Sequence, residues 1–404
     1  MVPKLRFGGF KEEWTMTLLS KLATKITDGT HDTPDTTSEG IPYLTAIHVK
    51  DGYIDYKNCY YLDKLTHSLI YKRCNPEKND LLIVNIGAGT GTCALNTVDY
   101  EFSLKNVALV KPNKNKVYPF YLLQVQRKNA KKLFHELTSG GAQPFLSLKE
   151  IGKLKIPLCQ YDEQTKIADF LSSVDDKITL LNQQYDLLCQ YKKGMMQKIF
   201  SQEVRFNDEN GEAFPEWNSC QLKDVATRVT RKNKENNQTI LTISGRDGLV
   251  DQMTYFNKQI ASKNVTGYYL ISNGEFAYNK SYSQGYPMGA IKMLTNYDKG
   301  VVSTLYICFK LNEDQVNNFY QHYFESGLQN RSIEKVAQEG ARNHGLLNIG
   351  VNDFFDIELQ IPCLKEQIKV ADFLSALDDK IAVKKAKLDK LKTWKQGLLQ
   401  QMFV

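Results

Sequence analysis

The stretch most able to hold a phosphate is GAGTGT, Gly87 to Thr92. A dinucleotide site needs the third glycine of G-x-G-x-x-G and a following helix, and a nucleotide-triphosphate loop needs a lysine. GAGTGT lacks all three. It reads as a turn between strands that could lie close to a ligand or a DNA backbone. Two carboxylate pairs occur in VDDKI (Val174–Ile178) and LDDKI (Leu377–Ile381). Adjacent residues on a helix point in different directions, so these pairs read as solvated or capping groups rather than a metal site. The histidines His31, His48, His67, His135, His322 and His344 form no ligand-spaced pair. The cysteines Cys59, Cys74, Cys93, Cys159, Cys189, Cys220, Cys308 and Cys363 contain no C-x-x-C. Scattered thiols argue against a zinc ribbon and suit a reducing compartment. There is no G-x-S-x-G elbow and no H-E-x-x-H. The chain by itself therefore reads as non-catalytic, with no catalytic residue and no metal ligand assigned.

What the sequence does offer is polar and basic loops. DGTHDTP packs turn formers around His31, TRVTRKNKENN carries Arg228, Arg231, Lys232 and Lys234, YNKSYSQGY carries Lys280, Tyr282 and Gln284, and EGARNHG carries Arg342, Asn343 and His344. Arg, Asn and Gln can pair bidentately with base edges, and Lys and backbone amides can hold phosphates. The candidate DNA contacts are Thr30, His31, Asn85, Thr90 and Gln143, then Arg228, Arg231, Lys232, Arg246, Lys280, Tyr282, Gln284, Arg342, Asn343 and His344. Any one of these loops could also be an ordinary solvated turn.

The elements that must position these loops are written twice. ADFLSSVDDKI (Ala168–Ile178) returns as ADFLSALDDKI (Ala371–Ile381), 203 positions later. EQTKIADFL and EQIKVADFL keep that offset, as do KKGMMQKIF ending at Phe200 and KQGLLQQMF ending at Phe403. Upstream, EEWTMTLLSKLAT resembles PEWNSCQLKDVAT, with Trp14 over Trp217. Between these ends the copies diverge. A unit of that length is domain-sized.

The shared segments have helical periodicity. Ile167, Leu171, Val174, Ile178, Leu181, Tyr185 and Leu188 recur every three or four residues, as do Val370, Leu374, Leu377, Ile381, Leu388 and Leu391 apart from the place of Lys384 between Ile381 and Leu388. Lys192, Lys384 and Lys395 interrupt the stripes. A sustained 3.5-residue period predicts a coiled-coil seam, the alternative being one amphipathic helix docked on each domain. A helix from Asp162 to Phe200 would span about 58 Å, too far for the ends of a compact second domain to bridge between parallel helices. Antiparallel helices are predicted, with a head at either end and approximate two-fold symmetry.

The heads are rich in Tyr, Thr, Ile and Val with frequent turns. KDGYIDYKNCYYL predicts a hairpin at Asp51–Gly52. NDLLIVNIGAGTGTCAL and NGEFAYNKSYSQGYPMGAI predict strand–turn–strand units, and FYLLQVQRKNAKKLFHEL and VNNFYQHYFESGLQNRSIEKVA predict helices. The predicted fold class is α+β: two mainly-β heads at 1–160 and 203–363, with helices at 161–202 and 364–404. Lys+Arg 52 against Asp+Glu 45 gives a net charge of +7, which fits nucleic acid without requiring it. No segment reaches the ~18–20 apolar residues of a membrane span, and the start MVPKLRFGGF lacks a signal-peptide core. A cytoplasmic protein is expected.

The order E-W, variable head, I-P, E-Q-x-K-[IV]-A-D-F-L, D-D-K-I, helix, and then the whole again resembles the specificity subunit of Type I restriction–modification systems. The resemblance covers essentially the whole chain. It implies that each head is a target-recognition domain reading one part of a split double-stranded DNA target, and that the helices are a spacer. It implies no cofactor on this chain. Two modification subunits would dock on the helices around Asp162–Phe200 and Lys365–Phe403 and methylate adenine N6 with S-adenosylmethionine. Restriction subunits using ATP and magnesium would add cleavage. The twelve aliphatic stripe residues from Ile167 to Leu391 are thus assigned to the coiled coil or to partner docking. A two-headed adaptor for protein or carbohydrate and a self-contained nuclease stay open as rivals.

Overall fold

The computed structural model describes residues 1–138, 144–245, 247–256, 265–337 and 347–404. The chain forms two compact units, Met1–Gln183 with Lys385–Val404, and Gln184–Lys384. Two long helices, Tyr161–Phe200 and Leu364–Met402, each contribute to both units. At 1.5 Å per residue, each is about 60 Å long. Their sequences are dominated by good helix formers, and no proline follows Pro157 until Pro215, nor any after Pro362.

Each unit is built on the same frame. The strand after the E-W motif pairs antiparallel with the strand of the I-P step: Thr15–Leu18 with Lys155–Leu158, and Asn218–Gln221 with Glu358–Ile361. A four-stranded antiparallel sheet follows. In the first unit its order is Ala23–Asp28, Val107–Pro112, Leu81–Val84, Cys93–Leu95, and in the second Ala226–Val229, Ile307–Leu311, Phe276–Asn279, Ala290–Met293. Both sheets are covered on both faces, and the two-residue period sorts their side chains. Leu81 and Ile83 face the core that holds the long helices, while Leu82 and Val84 face a separate core. Phe276 and Tyr278 do the first job in the second unit, and Ala277 does the other.

The predicted hairpin is present as Val49–Lys50 with Tyr53–Ile54, and Gly52 takes the positive φ of 86° that the turn requires. The first predicted head helix runs unbroken from Pro119 to Thr138. The second is split into Asn317–Ser326 and Asn330–Val336, because Gly327 adopts a left-handed conformation at φ 79° and ends the first piece. The outer strands diverge. The first unit has a three-stranded sheet of Tyr60–Leu62, Ile41–Thr45 and Ser103–Lys105, and the second has two separate two-stranded pairs.

The shared letters E-Q have a physical reason. Glu163 is buried and accepts from Arg6 Nε at 2.7 Å, Arg6 Nη2 at 2.8 Å and Trp14 Nε1 at 3.2 Å. Gln164 Oε1 accepts from Tyr118 N at the start of the head helix, and its Nε2 donates to Cys159 O. The second copy repeats this: Glu366 takes Arg205, and Gln367 takes Val316 N and donates to Pro362 O. A buried carboxylate and a buried amide thus fasten each head to its helix. The tryptophan differs, since Trp217 Nε1 is buried without a partner among the described residues.

The apolar stripes fill these cores. Ile167, Leu171 and Val174 lie in the first unit's core with Leu398, Met402 and Phe403, while Ile178 and Leu391 pack on its edge. Val370, Leu374 and Leu377 lie in the second unit's core with Met196, Ile199 and Phe200. Leu388 is buried, and Leu181, Leu188 and Ile381 are half-buried. The buried members are spent on folding the chain itself, burial of each being worth about 1.5–3 kcal/mol, and they offer a partner no free surface.

In the second unit Lys192 meets Asp378 and Gln184 meets Lys384, so one helix rises in number as the other falls; the pair is antiparallel. Among the described residues no helix is long and apolar enough to cross a membrane.

Candidate nucleic-acid interface

In the first head the candidate surface is organised by a buried acid. Asp28 ends the edge strand of the four-stranded sheet with 5% exposure. One of its oxygens is 2.9 Å from His31 Nε2 and the other accepts from Arg73 Nη2. His31 Nδ1 is 3.2 Å from Asn106 Oδ1. The side chains of His31 and Arg73 remain 45% and 52% exposed, so one carboxylate aims an imidazole and a guanidinium outward together. Lys25 Nζ donates to Arg73 O, and Lys105 Nζ donates to Thr33 Oγ1 on the adjoining loop. The result is a basic, hydrogen-bonding ridge of the kind that holds phosphates and reads base edges.

Thr30 is part of this loop's framework. Its N–H donates to Leu104 O and its Oγ1 accepts from Asp32 N. Two other candidates do not reach the surface. Asn85 and Thr90 are 1% and 2% exposed. Thr90 Oγ1 donates to Gly87 O at 2.7 Å, and the Asn85 carbonyl accepts from Leu146 N at 2.8 Å. They brace the turn of GAGTGT, whose Gly87 and Gly91 take φ values of 98° and 92°. Polar letters in a glycine turn indicated a surface, and the turn instead folds back against Pro144 and Ala130.

In the second head Arg228 is exposed on the edge strand Ala226–Val229. Arg231 Nη2 donates to Glu275 Oε2 at 2.8 Å and Ser272 Oγ at 3.0 Å. Lys232 Nζ donates to Gly267 O and lies 4.4 Å over the Tyr269 ring. These anchored cations stay solvent-exposed and form the counterpart of the first ridge. Tyr282 and Gln284 are exposed in the turn after Phe276–Asn279. Lys280 is instead half-buried: its carbonyl accepts from Leu347 N and its Nζ donates to Ile349 O. It closes the loop rather than projecting from it. Gln143, Arg246, Arg342, Asn343 and His344 lie outside the described residues.

Sequence reasoning missed Asp28, Arg73 and Lys105, which only the folded sheet brings beside His31. It also misread DDKI. The second aspartates, Asp176 and Asp379, are exposed as expected. The first are not merely solvated: Asp175 accepts from Lys395, and Asp378 from Lys192 at 2.5 and 2.7 Å. Each pair is the other displaced by 203, with the roles of the two helices exchanged. The lysines that interrupt the stripes are therefore ionic partners of the shared aspartates. In the first unit Arg127 joins, bridging Asp175 at 2.7 Å and Asp51 at 2.7 Å. Lys395 is 5% exposed, and burial lowers its pKa, with Arg127 adding to the effect and Asp175 opposing it.

Among the described residues no cluster of His, Cys, Asp or Glu could hold a metal ion. The eight cysteines are unpaired.

Residues 11–190 and 215–393 each match the family model of the Type I restriction modification DNA specificity domain. Over a 424-position alignment the chain is 24% identical to the putative type I restriction enzyme MjaX specificity subunit of Methanocaldococcus jannaschii, covering 98% of this chain and 94% of that protein. It is 32% identical over 188 residues to the type I restriction enzyme MjaVIII specificity subunit of the same organism, covering 43% of each. Among solved structures the fold is similar to the Type I restriction–modification S subunit from M. genitalium, with a TM-score of 0.61 at 15% identity, covering 100% of this chain and 99% of that one. A chain from a structure on complex assembly and conformational transition of the type I R-M system gives a TM-score of 0.52 at 12% identity, covering 98% of each. A duplicated frame carrying two unlike heads, matched by one family model in both halves, places the chain in the family of Type I restriction–modification specificity subunits.

Proposed function

We propose that each head reads one half of a bipartite, asymmetric double-stranded DNA target, and that the two long helices set the spacing of the halves and dock two modification subunits. Those subunits methylate adenine N6 with S-adenosylmethionine. Restriction subunits using ATP and magnesium add cleavage when they join. The chain contributes recognition and no catalytic group.

The observation that carries this reading is the contrast between frame and ridge. The strand pair, the sheet order and the E-Q and Asp–Lys contacts recur in both units. The exposed polar sets do not: His31 and Arg73 gather on Asp28 in one head, and Arg231 and Lys232 on Glu275 and the Tyr269 ring in the other. Equal frames suit equal partners, and unequal ridges suit unequal half-sites.

Exchanging the first head for that of a relative with another target tests this. The expected result is a methylated motif altered in one half only, with the gap and the other half retained. A change in both halves would overturn independent reading. Binding through the ridges should also weaken steeply with salt, because phosphate contacts release counterions; a salt-independent glycan or peptide affinity would favour an adaptor instead.

A further inference from the structure

The duplicated frame carries unlike charge. The short helix Leu19–Leu22, the helix Leu148–Gly152 and the strand Lys155–Leu158 recur 203 positions later as Leu222–Val225, Val351–Phe355 and Glu358–Ile361. On and beside these elements the first unit exposes Lys21, Lys25, Lys149, Lys153 and Lys155 with one acid, Glu150. Glu150 is engaged locally, accepting from Ser147 N and Oγ. In the second unit the exposed counterparts of the five lysines are Asp224, Arg228, Asn352, Asp356 and Glu358, and that of Glu150 is Asp353. Three lysines have become acids, and Lys223 pairs with only one of these, Asp356, at 2.7 Å.

The lysine surface of the first unit runs into the ridge around Asp28. Lys25, Lys149 and Lys153 line one cleft of about 460 Å³ with Ser20 and Thr24. Lys25 lies on the edge strand three residues from Asp28, about 10 Å at the usual rise of a strand. Its Nζ donates at 3.0 Å to the carbonyl of Arg73, whose guanidinium Asp28 holds. In the second unit the path from Arg228 leads instead to Asp224, Asp356 and Glu358, which line a cleft with one cation, Lys335.

We propose that the first unit grips backbone phosphates of the duplex adjoining its half-site through Lys21, Lys149, Lys153 and Lys155, and that the second unit has no such grip. The hold on DNA is one-sided even where the frame is duplicated. This rests on the specificity-subunit reading above. An ammonium supplies charge without the fork that matches a base edge, so this surface adds affinity and no sequence preference. Its continuity with the ridge favours DNA over an acidic protein, because one polyanion can follow Arg73, Lys25 and Lys149 without a break. The acids at the equivalent place in the second unit repel the same backbone.

The test uses the full-length chain with its modification subunits on a duplex carrying the methylated target. Phosphate-ethylation interference and the salt dependence of affinity are the readouts. The wild-type complex should show interfering phosphates beyond the bases of the first half-site and none beyond those of the second. The double variants Lys149→Gln, Lys153→Gln and Lys21→Gln, Lys155→Gln should each lose part of that extension. Each should also make the slope of log K against log salt shallower by about 2, at roughly 0.9 per phosphate released. The preference for target over unrelated duplex should stay as it was, because phosphates carry no sequence. All four positions are exposed, and glutamine keeps most of the side chain, so the fold should tolerate both variants. Interference confined to the half-sites, or extended alike beside both, would overturn the proposal. So would wild-type slopes in both variants, or loss of the modification subunits with DNA affinity unchanged, which would assign the lysines to a protein interface. A wild-type complex with no preference for any sequence would instead sink the reading on which the proposal rests.

Discussion

His322 lies in the second head's helix at 3% exposure, with Nε2 3.4 Å from Ser375 Oγ and Nδ1 3.9 Å from Asp378. Burial, reinforced by Lys192 and opposed by Glu325, pushes its pKa down to about 4. The unfolded side chain takes up its proton near 6.5. As pH falls from about 6.5 to about 4, the unfolded state binds a proton that the folded state refuses. Stability is therefore lost on acidification through that window and levels off below it, by an amount on the order of 3 kcal/mol. His322→Gln should flatten this part of the profile in thermal melts at pH 7.5 and 4.5. An unchanged acid dependence in the variant would contradict the assignment. At this scale the sequence was only partly legible. His31, Arg231 and Lys232 stand exposed on the heads because turn and basic letters do indicate surface. Asn85 and Thr90 misled because a polar letter in a glycine turn does not say which way the turn folds. Arg73 was invisible because its meaning depends on Asp28, 45 residues away.

The long helices were the most legible elements, because the 3.5-residue stripe and the duplication point the same way. Their interruptions were not. Lys192 and Lys395 read as flaws in a seam until the antiparallel pairing set each against an aspartate of the other helix. The pair buried in the first unit is costly to break. Asp175→Asn would leave Lys395 charged and almost fully enclosed beside Arg127, and removal of one partner from a buried pair typically costs about 3–5 kcal/mol. The double variant Asp175→Asn, Lys395→Met removes the stranded charge and should recover most of that loss. Denaturant melts of the two variants decide the matter, and a double variant no more stable than Asp175→Asn alone would argue that the pair is not coupled. The E-Q letters were equally conspicuous as a repeat and equally opaque in purpose. Only the fold reveals that Glu163 gathers Arg6 and Trp14 while Gln164 holds the start of the head helix.

At the scale of the molecule, two copies of one frame carry two different sets of exposed polar side chains. The E-Q and Asp–Lys contacts of the frame recur in both halves, and the exposed polar sets of the heads differ. That arrangement suits a protein that must present one face to like partners and two unlike faces to a polymer without symmetry. The bases themselves depend on loop geometry and on the deformability of the DNA, which side-chain identity does not encode. The most direct measurement is a genome-wide map of N6-methyladenine in the host with and without this gene, the modification subunit being present in both. The account predicts that one split, asymmetric motif loses its methylation when the gene is removed and regains it when the gene is restored. Persistence of every methylated motif in its absence would contradict it.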